Sequence, residues 1–276
     1  MIDTIVPGEA FMDYAALARE SLDRVVASKP LIHQITNVVV TNDSANLTLA
    51  FGALPVMAYA PQEVAEMAAI SQALVLNIGT LSEEEIVAML IAGNAAGEKD
   101  IPIILDPVGA GATAFRTESA LRMLRELPIT VLRGNRGEIG ALVGSGEVRG
   151  VEATGSEDPR EVAAAARDVF GVTVAVTGQT DVVAGLDTTY LVNNGSPLLA
   201  GITGSGCMAT AAIGIFATAG SDPALQTALG LATYGLAAER AAIGDPGPGT
   251  FRARLLDEVA ALHATGTSGV DIVAGR

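Results

Sequence analysis

Ile101-Pro102-Ile103-Ile104-Leu105-Asp106-Pro107-Val108-Gly109-Ala110-Gly111 is a short apolar run that ends on an aspartate and a glycine-rich turn. Its first half reads as a strand, Pro102–Asp106, apolar at consecutive positions, as expected when both faces of a sheet are covered. The pattern recurs along the chain: Leu31–Ile35, Pro55–Met57, Ala73–Asn77, Thr130–Leu132 and Thr173–Thr177 read as strands on the same grounds. Helical patterns separate them at Asn42–Phe51, Gln62–Ser71, Glu83–Ala96, Thr117–Glu126 and Pro159–Val169. Ser82 and Glu85 form a capping box for the third of these, and Ser156 to Pro159 offers acidic capping for the last. Such βαβ alternation predicts an α/β fold with a mostly parallel central sheet and helices on both faces. Asp181–Asn193 differs, reading as a hairpin that turns near Asp187 and forms an antiparallel edge. Beyond Cys207 the sequence reads as almost purely helical, opening with a buried helix over Met208–Gly220. No linker, low-complexity tract or repeat interrupts the 276 residues, so a single domain over residues 1–276 is expected.

Composition narrows the function. Hydrophobic residues make up 50% with no Trp, which implies an aliphatic core. Mean hydropathy is +0.43. The longest apolar stretches, such as Met208–Ala219, still fall short of the roughly 20 residues of a membrane span. Met1-Ile-Asp-Thr-Ile-Val-Pro7 lacks the basic and apolar regions of a signal peptide. A cytoplasmic protein without membrane partners is the expectation, its excess hydrophobicity taken up by two sheet faces and by subunit contacts. Net charge is −15, from 31 acidic against 16 basic residues, with no basic run, which argues against nucleic acid as a partner. A polyanionic ligand must then be met by local devices: backbone amides, a few arginines and a divalent cation. The single cysteine rules out an intrachain disulfide framework, and two histidines, His33 and His263, make a His-rich metal site implausible.

In open α/β sheets ligands bind beyond the carboxyl ends of the strands, and the polar residues of this chain gather there. Asp106 ends its strand beside a glycine-rich turn, placed to hold Mg²⁺ or its waters, or simply to form an Asp-Pro turn. Arg133 follows the next strand as a phosphate ligand, and Glu138 lies one turn into the following helix, near a metal or as the capping partner of Asn135. Both roles for Glu138 can hold together. Thr177 ends a further strand with a hydroxyl that could meet phosphate. His33-Gln34-Ile35-Thr36-Asn37 is a polar cluster suited to a small polar substrate or to capping the next helix, and Met57 is core or ligand contact. In Thr203-Gly204-Ser205-Gly206-Cys207, two glycines precede a buried helix, so Gly204, Ser205 and Gly206 offer an anion hole of backbone amides. Cys207 sits in the middle of it. Gly109–Ala114 and Gly204–Ala209 both fit GxGxxA, but the first lies mid-chain and no acidic residue ends a second strand some 20 positions on, so a dinucleotide site is not supported. Neither GxxxxGK[ST] nor GxSxG occurs.

Taken in order, Leu31-Ile-His-Gln-Ile-Thr-Asn37, Pro55-Val-Met-Ala-Tyr59, Leu74-Val-Leu-Asn-Ile-Gly-Thr80, Ile104-Leu-Asp-Pro-Val-Gly-Ala-Gly-Ala112, Arg133-Gly-Asn135 and Thr203–Cys207 resemble the hydroxyethylthiazole kinase family of the ribokinase-like superfamily. The resemblance implies a three-layer ribokinase-like fold. It also implies ATP-dependent phosphorylation, with Mg²⁺, of the primary hydroxyl of 4-methyl-5-(2-hydroxyethyl)thiazole, a step of thiamine salvage. It puts Arg133 and Thr177 at ATP, Met57 and Gly204 at the thiazole, Asp106 and Glu138 near Mg²⁺ through water, and Cys207 at the catalytic position. Asn37 is added as a substrate neighbour on its own placement. A homotrimer with active sites between subunits is a further implication. Other small-alcohol or hydroxymethylpyrimidine-type kinases, and an ATP-dependent repair dehydratase of the same fold, stay open as alternatives. Within the kinase reading, amides, metal and Arg133 carry the main burden, Cys207 assists, and no covalent intermediate is required. The helix N-terminus lowers the thiol pKa while phosphates raise it, so its protonation state is open at this level.

Overall fold

A computed structural model of the chain describes residues 12–145 and 158–275. Helix α1 (Tyr14–Ser28) leads into β1 (Leu31–Ile35), α2 (Thr41–Ala50), β2 (Leu54–Val56), α3 (Val64–Ile70) and β3 (Ala73–Asn77). There follow α4 (Glu83–Glu98), β4 (Ile103–Asp106), α5 (Ala114–Glu126), β5 (Val131–Asn135), α6 (Arg136–Ser145), α7 (Pro159–Phe170) and β6 (Thr173–Thr177). The hairpin β7 (Asp181–Ala184) and β8 (Thr189–Val192) precedes α8 (Ser205–Phe216), α9 (Pro223–Ala241), α10 (Pro248–Thr265) and β9 (Ile272–Gly275). The strands form one sheet in the order β2-β1-β3-β4-β5-β6-β7-β8-β9. Pairing is parallel from β2 through β6 and antiparallel across β6–β7, β7–β8 and β8–β9.

Two apolar cores, one on each face of the sheet, explain the consecutive apolar positions. Ile103 and Leu105 pack with α3 to α7, while Ile104 between them packs with α1, α2, α8, α9 and α10. A strand buried on both faces has no polar side to show, which is why its sequence does not alternate. Local caps set the helix starts: Asp13 accepts from Ala16 N, Ser82 from Glu85 N and Asp158 from Arg160 N. Three glutamates in the first turn of α4 add charge of the sign its dipole favours.

The parallel strands all end on one edge of the sheet. Chain direction reverses at β1: β2 lies on one side of it and β3 on the other, with α2 and α3 on opposite faces. That is the switch point at which such sheets open a crevice. Asn37, two residues beyond β1, and Asn77, the last residue of β3, flank it.

The expected α/β architecture, the parallel strands and the hairpin are all present, the hairpin closing through Gly185 N donating to Thr188 O at 2.9 Å. Many boundaries shift, most of them by a residue or two, and four of the shifts bear on the residues singled out above. β2 stops at Val56, so Met57 lies just beyond it. β5 runs on to Asn135, which makes Arg133 a strand residue in register with Ala175. α5 begins at Ala114, because Thr113 caps it by accepting from Arg116 N at 3.3 Å. α8 begins at Ser205 rather than Met208, which puts Cys207 inside its first turn. The hairpin is also not the sheet edge, since β9 pairs outside β8 in a region read as helical. The Ser156 part of the expected cap lies outside the described residues. Among the described residues no helix is long and apolar enough to cross a membrane.

Candidate active site

Asp106 ends β4 fully buried. Its Oδ2 accepts from Asn77 Nδ2 at 2.8 Å and from Thr210 Oγ1 at 2.7 Å, and lies 3.5 Å from Arg133 Nη1. Asn77 and Thr210 donate and Arg133 brings a positive charge, an arrangement suited to the ionised carboxylate. Burial pushes the carboxyl above its ordinary range, and the Arg133 charge and the Thr210 hydroxyl act against that rise. Its Oδ1 is buried with no partner. Arg133 in turn donates from Nη2 to Thr177 Oγ1 at 2.6 Å, so β4, β5 and β6 are tied side chain to side chain at their carboxyl ends.

The N-terminus of α8 stands over this group. Gly204 caps the helix at φ +82°, and a Cβ there would lie 2.2 Å from Val40 Cγ1, so both backbone and space require glycine. Met208 N donates to Gly204 O at 2.9 Å, and the amides of Ser205, Gly206 and Cys207 precede the first residue that can close an intrahelical bond. Gly206 touches Arg133: a Cβ there would lie 2.9 Å from both Nη1 and Nη2. A guanidinium directly behind free helix amides makes a concentrated anion site. Tyr234 braces it, its hydroxyl donating to Ser205 O at 3.1 Å.

Cys207 Sγ accepts from Asn37 Nδ2 at 3.4 Å. The same nitrogen donates to Asn77 Oδ1 at 2.8 Å, and Asn37 Oδ1 accepts from Val39 N at 3.1 Å. Burial is the main cause that raises the thiol pKa, reinforced by the Asp106 charge and opposed by the asparagine hydrogen bonds. The direction left open by the sequence is therefore upward in the free protein, and Cys207 is a neutral thiol at pH 7.

Glu138 performs the capping task expected of it. Its Oε2 accepts from Asn135 N at 2.9 Å while its own N donates to Asn135 Oδ1 at 3.0 Å, a reciprocal capping box. Its Oε1 accepts from Gly109 N at 2.8 Å, which fixes the turn after Asp106. Among the described residues no group of three His, Cys, Asp or Glu could hold a metal by itself. The donor set nevertheless suits Mg²⁺ carried by a polyphosphate. Asp106 offers an unpartnered oxygen, and Glu138, whose two oxygens already take amides, can contribute through water.

Asn37, Asp106, Arg133, Thr177 and Cys207 thus fall into one connected polar cluster, with Gly204, Ser205 and Gly206 beside it. Met57 sits at the same end of the sheet, just beyond the edge strand β2 and three strands from Asp106. It is half-buried beside Ala58, whose carbonyl is held 2.9 Å from His33 Nε2. Burial lowers the His33 pKa, so that ring is neutral and structural. Sequence reasoning missed Asn77 and Thr210, the two donors on Asp106. It also missed Arg116, which donates to Ile78 O, Val108 O and Gly79 O at 2.8, 2.7 and 2.9 Å and clamps the loops after β3 and β4. Asp181 was missed too; it accepts from Gly178 N at 2.9 Å, and burial raises its carboxyl to about 6. Arg116 did leave a signal: a cation in the first turn of a helix opposes the dipole and needs another reason to be there.

A protein-family model described as hydroxyethylthiazole kinase family matches residues 22–265. The chain belongs to that family. A hydroxyethylthiazole kinase of Methanosphaerula palustris is 52% identical over 244 residues, 88% of this chain and 92% of that relative. The solved hydroxyethylthiazole kinase of Pyrococcus horikoshii OT3 superposes with a TM-score of 0.87 at 40% identity, covering 95% of this chain and all of that one. A pyridoxal kinase from Staphylococcus aureus, solved with AMP-PCP and pyridoxal, shares the fold at a TM-score of 0.62 and 15% identity, covering 90% of this chain and 98% of that one. The fold is the ribokinase-like one that the sequence resemblance implied.

Proposed function

We propose that this protein transfers the γ-phosphoryl group of ATP to the primary hydroxyl of 4-methyl-5-(2-hydroxyethyl)thiazole, a step of thiamine salvage in the cytoplasm. Family membership supports the reaction. The observation that carries the site assignment is the Arg133 guanidinium packed behind the first-turn amides of α8, with Asp106 and Thr177 as its partners.

Phosphoryl transfer through a loose transition state asks for alignment and charge neutralisation more than for covalent chemistry. In this reading the amides of Ser205, Gly206 and Cys207 receive the charge on the transferring group, preorganised by the helix. Arg133 and Thr177 hold the polyphosphate. Asp106 and Glu138 would hold Mg²⁺, which would supply charge neutralisation. The alcohol oxygen attacks the γ-phosphorus, the bond to the bridging oxygen breaks, and ADP leaves. The neutral thiol of Cys207 orients the hydroxyl, whose proton departs late, to a phosphoryl oxygen and then to solvent, so a strong base is not required. Met57 and Gly204 border the thiazole, with Asn37 beside it.

A homotrimer with sites between subunits belongs to the same proposal. Val38 and Val39, 73% and 58% exposed next to Asn37, support cover by a second copy at the acceptor side. The test of the reaction is ADP release by the purified protein with Mg-ATP and either the thiazole alcohol or hydroxymethylpyrimidine. The thiazole alcohol should be preferred by at least a factor of about ten, the scale of modest pocket discrimination. Preference for the pyrimidine would overturn the substrate assignment.

A further inference from the structure

Asn77 has no role in the function described so far, yet it joins the two halves of the site. It is 2% exposed and stands opposite Asp106 in the β3–β4 register. Its Nδ2 donates to Asp106 Oδ2 at 2.8 Å. Its Oδ1 accepts from Asn37 Nδ2 at 2.8 Å and from Gly79 N at 2.9 Å. An amide has one donating and one accepting end, and here each end has a partner that permits only one orientation. A carboxylate accepts only, so the Asn77 NH₂ must face Asp106. Its carbonyl then faces Asn37, which must present its own NH₂. One hydrogen of that NH₂ goes to Asn77, and the other points at Cys207 Sγ, 3.4 Å away.

We infer that Asn77 is a positioning residue for the phosphoryl transfer: by reading the Asp106 carboxylate it orients the Asn37 amide, so that Cys207 Sγ receives an N–H while its own S–H points toward the acceptor alcohol. The inference rests on the kinase reading above for the identity of that alcohol. The hydrogen-bond relay itself belongs to the free protein. It also explains why two asparagines, rather than apolar residues, line the crevice at the switch point between β1 and β3. Replacing either would leave a buried partner unsatisfied.

Cys207 is the only cysteine of the chain, so the rate of its alkylation against pH reports its titration alone. Asp106, Arg133 and Tyr234 are the charged or titratable groups that face the thiol and stay in place in the variants. In Asn77→Ala the thiolate loses an oriented donor, and its apparent pKa should rise by at least about half a unit, with kcat down roughly tenfold or more and KM for ATP within about twofold. Asn37→Ala should raise the pKa by a similar amount. The double variant should raise it by less than the sum of the two, because Asn77 acts on the thiol directly and also through Asn37. Should Asn77→Ala not fold, Asn77→Ser serves instead: its hydroxyl can stay on Asp106 but is too short to reach Asn37 as well. A residue that merely supports the fold would lower the melting temperature and the active fraction without moving the thiol titration. An unchanged titration in the Asn77 variant, or additive shifts in the double variant, overturns the inference. The titration needs no substrate, so wild-type protein that makes no thiazole phosphate would sink the kinase reading while leaving the relay to be judged by alkylation.

Discussion

Gly206→Ala separates the binding chemistry of the site from its stability. The position is in a helix, where alanine exceeds glycine by about 1 kcal/mol in propensity. The added methyl would sit 2.9 Å from both terminal nitrogens of Arg133. To reach an ordinary contact of about 3.5 Å the guanidinium must retreat by about 0.6 Å. It has little room, being 9% exposed and held 2.6 Å from Thr177 Oγ1. Losing a hydrogen bond to a charged group costs about 1.5–3 kcal/mol, which the helix propensity partly offsets. The melting temperature should therefore fall by no more than a few degrees. Activity should suffer far more, because misplacing a positioning group by a large part of an ångström costs up to about a hundredfold. ADP release at varied ATP, with thermal melting of the same preparations, makes the comparison. We expect kcat/KM for ATP to drop roughly ten- to a hundredfold in a folded protein. Wild-type kinetics in folded Gly206→Ala would refute the joint anion site of Arg133 and the α8 amides.

Gly204→Ala should act in the opposite sense, through the fold. Left-handed strain of about 1–2 kcal/mol and overpacking against Val40 of about 1–3 kcal/mol predict a melting temperature lower by about 5–15 °C. Calorimetry checks it, and adding Val40→Ala should restore part of the loss. Cys207→Ala should lower kcat by about ten- to a thousandfold without abolishing turnover. Cys207→Asp should stay active; a folded Cys207→Asp that binds ATP yet shows no turnover would contradict the assisting role. Asp181 gives a pH test. Burial raises its folded pKa to about 6, above the ordinary carboxylate value, so between pH 4 and 6 the folded state holds the extra proton and stability falls as pH rises. Asp181→Asn removes that dependence and keeps an acceptor for Gly178 N. Melts across this window should show the variant gaining about 1–3 kcal/mol on wild type as pH rises, and parallel curves would contradict the assignment.

The parallel strands were legible because burial on both faces writes itself as unbroken apolar runs, and Asp106, Arg133 and Thr177 were legible because they end those runs. What failed to show depended on partners distant in sequence. Ile272-Val273-Ala274-Gly275 is too short and too rich in small residues to announce a strand, and only pairing with β8 makes it one. The start of α8 was misplaced because Gly204 to Gly206 have loop-forming composition, whereas φ at Gly204 turns the chain straight into the helix. Thr210 looked like one polar residue in an apolar helix until its hydroxyl met Asp106, 104 residues away. Asn77 ended a recognised strand, but its type alone could not distinguish a turn former from a doubly committed amide.

The most direct test of the account is the identity of the product. Purified protein with Mg-ATP and the thiazole alcohol, analysed by mass spectrometry, should yield the phosphate ester on the primary hydroxyl and one ADP for each ester formed. ATP consumed with no stable phosphate ester, or phosphate found on the protein in place of the alcohol, would contradict direct transfer at this site.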